Sequence, residues 1–231
     1  MSIHDGHRQR LKERFLAEGL DGFTDVQVLE LLLYYCIPRK DTNELAHSLI
    51  DRCGSLAQVL DTGFKELLEV PGVAQNAATF LTLLPAAYRR YHVNKGQRES
   101  KPLLTIDACG QYLMDYFRGR TNETVFLLCM DAKCKPLCCV KLGEGGINSA
   151  GVPIRRVVEA ALGAKATTVV LAHNHPSGIA LPSNEDVQTT RRVATALESV
   201  EVTLADHIVV ADDDFTSMVQ SGYYRPSDGL F

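Results

Sequence analysis

The segment HNHPSGIALPSNED, residues 173–186, directly follows an apolar run at residues 167–172 and constrains how this part of the chain folds. The run TTVVLA predicts a buried strand. Side chains at positions i and i+2 of a strand point to the same face, so His173 and His175 are expected to converge. The sequence therefore predicts a strand that ends in two imidazoles on one face of a sheet.

An aspartate completes this group from the other side of a Gly/Pro-containing turn. Ser183 and Asp186 have the spacing of a capping box, which predicts a helix that starts at about residue 184 and places Asp186 in its first turn. Two imidazoles and one carboxylate leave a fourth tetrahedral position for water, as is typical of catalytic zinc sites. We predict one zinc ion per chain, held by His173, His175 and Asp186, and hydrolytic chemistry.

The hydrophobic pattern divides the chain into two parts. Residues 1–91 show apolar side chains at helical spacing and predict a small all-α domain, and the polar segment 92–101 is predicted to be a linker. Residues 102–231 predict a mixed α/β domain. In that part the predicted strands are 125–130, 137–142, 169–172 and 208–211, and the predicted helices are 106–117, 154–162 and 184–197.

Composition narrows the functional class. The 231 residues carry a net charge of −4, so the chain lacks the basic excess of a strong nucleic-acid binder. Neither a long apolar run nor an apolar leader is present, which predicts a cytoplasmic protein without a membrane partner. The seven cysteines include no C-x-x-C pair and are expected to be reduced thiols.

The histidine segment resembles two nested families. The pattern H-x-H, seven residues, S-x-x-D resembles the JAMM (MPN) metalloprotease signature, and the fuller HNHPSG, with DHI at 206–208, resembles the RadC family. Segments 6–15, 29–46 and 53–60 are similar to the helical N-terminal part of RadC proteins. Arg155 lies at the position of the arginine in the family's Pro-Arg-Glu motif, with Ile154 and Arg156 replacing the proline and the glutamate.

This resemblance implies a fold and an activity. The fold is a mixed-sheet JAMM/MPN-like α/β domain with a cytidine-deaminase-like arrangement, preceded by a small all-α domain. The activity is zinc-dependent hydrolysis, in which activated water attacks a peptide or isopeptide-like amide bond of an unidentified protein or peptide substrate. By resemblance to the JAMM serine, Ser183 donates a hydrogen bond to the developing oxyanion.

JAMM enzymes also use a glutamate from an earlier strand as general base. The candidates are Glu123, Glu144 and Glu159. We favour Glu123, which heads the strand-like run ETVFLLCMD, whereas Glu144 lies in the GEGG turn and Glu159 in a helix-like stretch where a solvated carboxylate is expected.

Two other functions stay open. Residues 67–77, LLEVPGVAQNA, resemble the turn of a helix-hairpin-helix element near 67–80, in which Gly72 and Ala74 would approach a DNA phosphate. The alternative function is therefore a DNA-binding repair or recombination accessory protein, with the metal site secondary or serving as a nuclease. A non-catalytic scaffold is the third hypothesis. His207 is either a partner of the metal site or, as we favour, a buried structural histidine.

Overall fold

A computed structural model of the chain describes residues 3–38, 40–98, 101–145 and 152–226. The chain divides into two compact units, Met1–Tyr88 and Arg89–Phe231. Within the described residues, no helix combines the length and the apolar character that crossing a membrane requires.

Helices make up the regular structure of the first unit in its described part. They are α1 (Ile3–Glu18), α2 (Asp25–Cys36), α3 (Asn43–Cys53), α4 (Leu56–Asp61), α5 (Phe64–Leu68) and the start of α6 (Gln75–Arg98). Their shared core contains Leu29, Leu33, Leu49, Leu67 and Leu81, all fully buried. The spacing of these apolar side chains explains why the segment folds as packed helices.

The buried carboxylate of Glu30 in α2 connects three of these helices. It accepts hydrogen bonds from the Tyr34 hydroxyl at 2.6 Å and from the Asn43 amide at 3.1 Å, and His7 Nε2 lies 3.1 Å from it. Burial and the contact with Glu30 raise the pKa of Tyr34 well above its usual range. A buried carboxylate needs such partners, because leaving it unpaired costs about 3 kcal/mol or more.

The linker predicted at residues 92–101 is wrong for residues 92–98. These residues belong to α6, which continues without a break to Arg98. A single glycine, Gly96, does not end a helix, and the partly buried Val93 packs against a hydrophobic core of the second unit. The polar residues Asn94 and Lys95 lie on the exposed face of this helix and not in a loop.

The second unit is a mixed α/β structure, as predicted, and its sheet has five strands, one more than the four predicted from the sequence. Its helices are α7 (Ile106–Phe117), α8 (Ile154–Gly163) and α9 (Asn184–Glu198). Its strands are β1 (Thr124–Met130), β2 (Pro136–Glu144), β3 (Thr168–Asn174), β4 (Thr203–Ala211) and β5 (Asp214–Ser217). The order in the sheet is β2-β1-β3-β4-β5; only the β3–β4 pair is parallel, and α9 provides its crossover.

Two hydrophobic cores cover the two faces of this sheet. On one face, Leu127 and Leu171 pack with side chains of α8 and α9. On the other face, Phe126 and Val170 pack with side chains of α7. All residues of β1 and β3 are buried, so these strands are continuous apolar runs of the kind found in the middle of a sheet.

Candidate metal centre

Two histidines and an aspartate meet where β3 ends and α9 begins. His173 lies in β3 on the same face as Val169 and Leu171, whose side chains pack against α8 and α9. His175 follows two residues later, and Asp186 lies in the first turn of α9. Strand alternation and the helix start thus bring the three predicted ligands to one place.

The separations between their ligand atoms fit one metal ion. His173 Nε2 lies 3.0 Å from His175 Nε2 and 3.2 Å from Asp186 Oδ1, and His175 Nε2 lies 3.7 Å from Asp186 Oδ2. Ligand atoms about 2.0–2.2 Å from a tetrahedral zinc ion lie roughly 3.3–3.6 Å from one another. Within the described residues, these three side chains form the one group of this kind.

The hydrogen-bond partners of the two imidazoles orient their lone pairs towards this centre. His175 Nδ1 lies 3.0 Å from the carbonyl oxygen of Ile179, which has no proton to give, so Nδ1 donates and the neutral ring carries its lone pair on Nε2. His173 Nδ1 lies 2.8 Å from His207 Nε2, and its own Nε2 faces the aspartate. The donor set therefore consists of two imidazole nitrogens and one carboxylate, the chemistry that zinc prefers.

The electrostatics of the site favour a positive charge between the three side chains. Burial alone would raise the pKa of Asp186, but its contacts with His173, His175 and Ser183 hold it well below the usual range. The contact with Asp186 raises the pKa of His175 in spite of burial, and the charge of Glu123 adds to this effect. A divalent cation satisfies the same preference.

Ser183 caps α9 and also supports the carboxylate. Its oxygen accepts from the backbone N–H of Asp186 at 3.2 Å, while its hydroxyl and its own backbone N–H each donate to Asp186 Oδ2 at 2.7 Å. Asp186 Oδ2 is thereby engaged and Oδ1 is left for a metal. The single hydroxyl proton of Ser183 points to Asp186 here, so a bond to a reacting oxygen requires the hydroxyl to turn.

Glu123 lies at the same end of the sheet as the two histidines. It is half-buried and immediately precedes β1, in which Val125 is paired with His173. The side-chain amide of Asn174 fixes the backbone on both sides of Glu123, since Oδ1 accepts from Thr124 N at 2.8 Å and Nδ2 donates to Asn122 O at 3.2 Å. The segment that carries this glutamate is therefore tied to the strand that carries the histidines.

The other two glutamates form ion pairs with basic side chains. Glu144 ends β2, where it forms an ion pair with Lys141 that lowers the pKa of its carboxyl group. Glu159 lies on α8 in an exposed ion pair with Arg155. Glu144 also lies at this end of the sheet, because it is paired with Thr124, so the choice of Glu123 as the base stays a prediction.

The hairpin-like turn of the first unit forms without strain at Ala74. Gly72 has φ 92°, which favours glycine, whereas Ala74 is not among the residues with positive φ. Both are exposed in the turn between α5 and α6, and the next two residues, Gln75 and Asn76, are neutral. DNA contact at this turn stays a prediction from the sequence.

Three buried polar side chains support the site. From the sequence, no role was predicted for Asn174 and Thr190, and a structural role was favoured for His207. His207 is buried, as expected, but it bonds to His173, and burial lowers its pKa well below the usual value, which keeps it neutral. Thr190 bonds to His207 in turn at 2.6 Å. Asn174 is the third. Strand register places His207 and Asn174, the packing of α9 on the sheet places Thr190, and the DHI segment was the one sequence signal for any of them.

Asp206, the neighbour of His207 in β4, connects β4 to the chain that follows β5. Its carboxylate accepts from the Ser217 hydroxyl at 2.5 Å, from His207 N at 2.7 Å and from Val219 N at 3.1 Å. Burial raises the pKa of Asp206 to about 6, against the opposing effect of these hydrogen bonds.

This pKa predicts a specific pH dependence of stability. The folded protein holds the proton of Asp206 more tightly than the unfolded chain, so the group contributes stability below its unfolded pKa of 3.8 that is lost as the pH rises through about 6. Relative to Asp206→Asn, the free energy of unfolding of the wild type is expected to rise by about 1.4 kcal/mol between about pH 7.5 and pH 5. Urea unfolding at both pH values measures this difference, and a difference that does not change with pH would contradict it.

Comparison with known proteins identifies the family. Residues 103–223 match the profile described as a RadC-like JAB domain, a range that covers the sheet and the three clustered side chains. The chain belongs to the RadC family. This RadC-family chain is 30% identical to a UPF0758 protein of Fusobacterium nucleatum over 225 residues, which cover 95% of this chain and 97% of the relative. It is 33% identical to a UPF0758 protein of Ruegeria pomeroyi over 218 residues, 94% of this chain and 96% of the relative.

Family and geometry agree at a coarse level. A RadC-like JAB domain indicates a JAMM-type metal hydrolase at the level of the family. In this RadC-family protein, His173, His175 and Asp186 form a group able to bind a metal ion, as the resemblance implies.

Proposed function

We propose that this protein is a zinc-dependent hydrolase that cleaves a peptide or isopeptide-like amide bond in an unidentified protein or peptide substrate. One observation carries the proposal: two imidazole nitrogens and a carboxylate converge at separations of 3.0–3.7 Å, at the end of the sheet where Glu123 lies. Three protein ligands leave a fourth position for water. The mixed sheet with helices on both faces is also compatible with a cytidine-deaminase-like arrangement.

Each side chain has a distinct part in this reaction. His173, His175 and Asp186 would hold the zinc, which when bound would lower the pKa of water from about 15.7 towards 7. Glu123 accepts the proton as the water oxygen bonds to the amide carbon, and then delivers it to the leaving nitrogen as the C–N bond breaks. The carboxylate therefore returns to its starting state after each turnover.

Ser183 is the proposed donor to the oxyanion that develops on the amide oxygen. It is exposed at the start of α9, next to the ligand Asp186. A turn of its hydroxyl away from Asp186 Oδ2 frees the proton for this bond, while the Ser183 backbone N–H still holds the carboxylate. One such donor typically contributes about 100-fold or more to the rate.

Metal removal tests this function. A proteome-derived peptide library incubated with zinc-loaded protein is expected to yield new N-termini, detected by mass spectrometry. Cleavage should stop after chelation and return when zinc is restored. Cleavage that survives chelation, or no cleavage by the zinc-loaded protein in the library or in a native cell extract, would contradict the proposal.

A further inference from the structure

A chain of hydrogen bonds runs behind the candidate ligands through buried side chains. His173 Nδ1 lies 2.8 Å from His207 Nε2, His207 Nδ1 lies 2.6 Å from Thr190 Oγ1, and Thr190 Oγ1 lies 2.6 Å from the backbone oxygen of Asp186. The side chains of His173, His207 and Thr190 belong to residues at most 2% exposed. The chain begins at one candidate ligand and ends at another.

The partners determine where each proton lies. The carbonyl oxygen of Asp186 has no proton, so at 2.6 Å the Thr190 hydroxyl must donate to it. The hydroxyl then has no second proton, so at 2.6 Å it accepts from His207 Nδ1–H. The ring of His207 is buried, and its nitrogens face a hydroxyl and an imidazole and not a carboxylate, so the ring is neutral. Its Nε2 therefore accepts, and His173 Nδ1 is the donor.

The hydrogen bonds cannot run in the opposite direction at these distances. If Thr190 donated to His207, its oxygen would face the Asp186 carbonyl oxygen at 2.6 Å with no proton between two acceptors. The sulfur of Met218, 3.4 Å from Thr190 Oγ1, is only a second acceptor and leaves the assignment unchanged. This set places the proton of His173 on Nδ1 and leaves its Nε2 lone pair facing His175 Nε2 and Asp186 Oδ1, a group of three acceptors that a cation between them would satisfy.

We propose that His207 and Thr190 are positioning residues that hold His173 in the tautomer and ring orientation needed to bind a metal through Nε2. This inference rests on the proposed function, because it concerns the same metal centre. The β4 histidine and the α9 threonine also link the ligand in β3 to the ligand in α9, so the two ligands are held in fixed relation to each other. Loss of such a partner typically lowers metal affinity about 10- to 100-fold.

Zinc affinity of paired variants tests the proposal. His207→Phe removes the acceptor for His173 Nδ1–H, and Thr190→Val removes the hydroxyl with little change in shape; each is expected to weaken zinc binding about 10- to 100-fold in competition with a chromogenic chelator. His207→Gln keeps an acceptor and Thr190→Ser keeps the hydroxyl, so both are expected to recover most of the affinity. Co²⁺-loaded His207→Phe is expected to show shifted visible absorption bands.

A control separates positioning from stability. Ser217→Ala removes a buried hydrogen bond to Asp206 without touching this chain of bonds, so it is expected to lower the melting temperature and leave the zinc affinity unchanged. Equal zinc affinities in the wild type, His207→Phe and Thr190→Val would overturn this proposal but not the proposed function. The same holds if His207→Gln binds zinc no more tightly than His207→Phe. A wild type that binds no zinc overturns the metal site and this proposal together.

Discussion

Replacement of His173 by alanine, or of Asp186 by asparagine, is expected to remove stoichiometric zinc from the purified protein. Structural zinc sites with four ligands bind with about 10–16 kcal/mol, so one ligand accounts for roughly 3 kcal/mol, or a loss of at least about 100-fold. Asp186→Asn exchanges a charged ligand for a neutral amide at the atom nearest His173. The zinc content after dialysis, measured by elemental mass spectrometry, reports this loss of bound zinc directly.

Matched controls use the same exchanges at exposed positions. His47 in α3 and Asp213 in the turn after β4 are both exposed, so His47→Ala and Asp213→Asn are expected to keep the zinc of the wild type. Full zinc retention in both His173→Ala and Asp186→Asn would overturn the ligand assignment.

Glu123→Gln is expected to bind zinc like the wild type but to hydrolyse its substrate about 100- to 10,000-fold more slowly. The amide is close in size and shape to the carboxylate but cannot accept a proton, and a general base typically contributes a factor of this size. The Asn174 bonds that hold this segment are to the backbone on either side of Glu123, so they survive the substitution. The measurement pairs zinc content with cleavage rate on one preparation.

Glu144→Gln and Glu159→Gln serve as controls for this experiment. Glu144 forms an ion pair with Lys141 and Glu159 forms one with Arg155, and both variants are expected to keep the wild-type rate within a few-fold. If Glu123→Gln is fully active, the general base must be another residue.

Local patterns predict much of this fold because they report burial directly. The apolar run before His173 predicts β3, and the capping box at Ser183 predicts the start of α9. The convergence of His173 and His175 follows from strand alternation, which continues one residue beyond β3 because His175 N donates to Val210 O. The linker prediction is wrong for residues 92–98 because polarity also marks the solvent face of a helix, and the packing of Val93 is a long-range contact.

The hydrogen bonds that hold the metal centre in place join residues far apart in the chain. His207 meets His173 because β4 pairs with β3 in a register that sets His207 beside Leu171. Asn174 looks like a spacer in HNH, yet it points to the opposite face of β3 and binds the backbone beside Glu123. Neither register nor these partners can be read from local spacing.

X-ray diffraction from crystals of the zinc-loaded protein, recorded on both sides of the zinc absorption edge, tests the central claim most directly. We expect one anomalous peak per chain, about 2.0–2.2 Å from His173 Nε2, His175 Nε2 and a carboxylate oxygen of Asp186. No peak between these three side chains, or a zinc ion bound elsewhere while they stay free, would contradict the account.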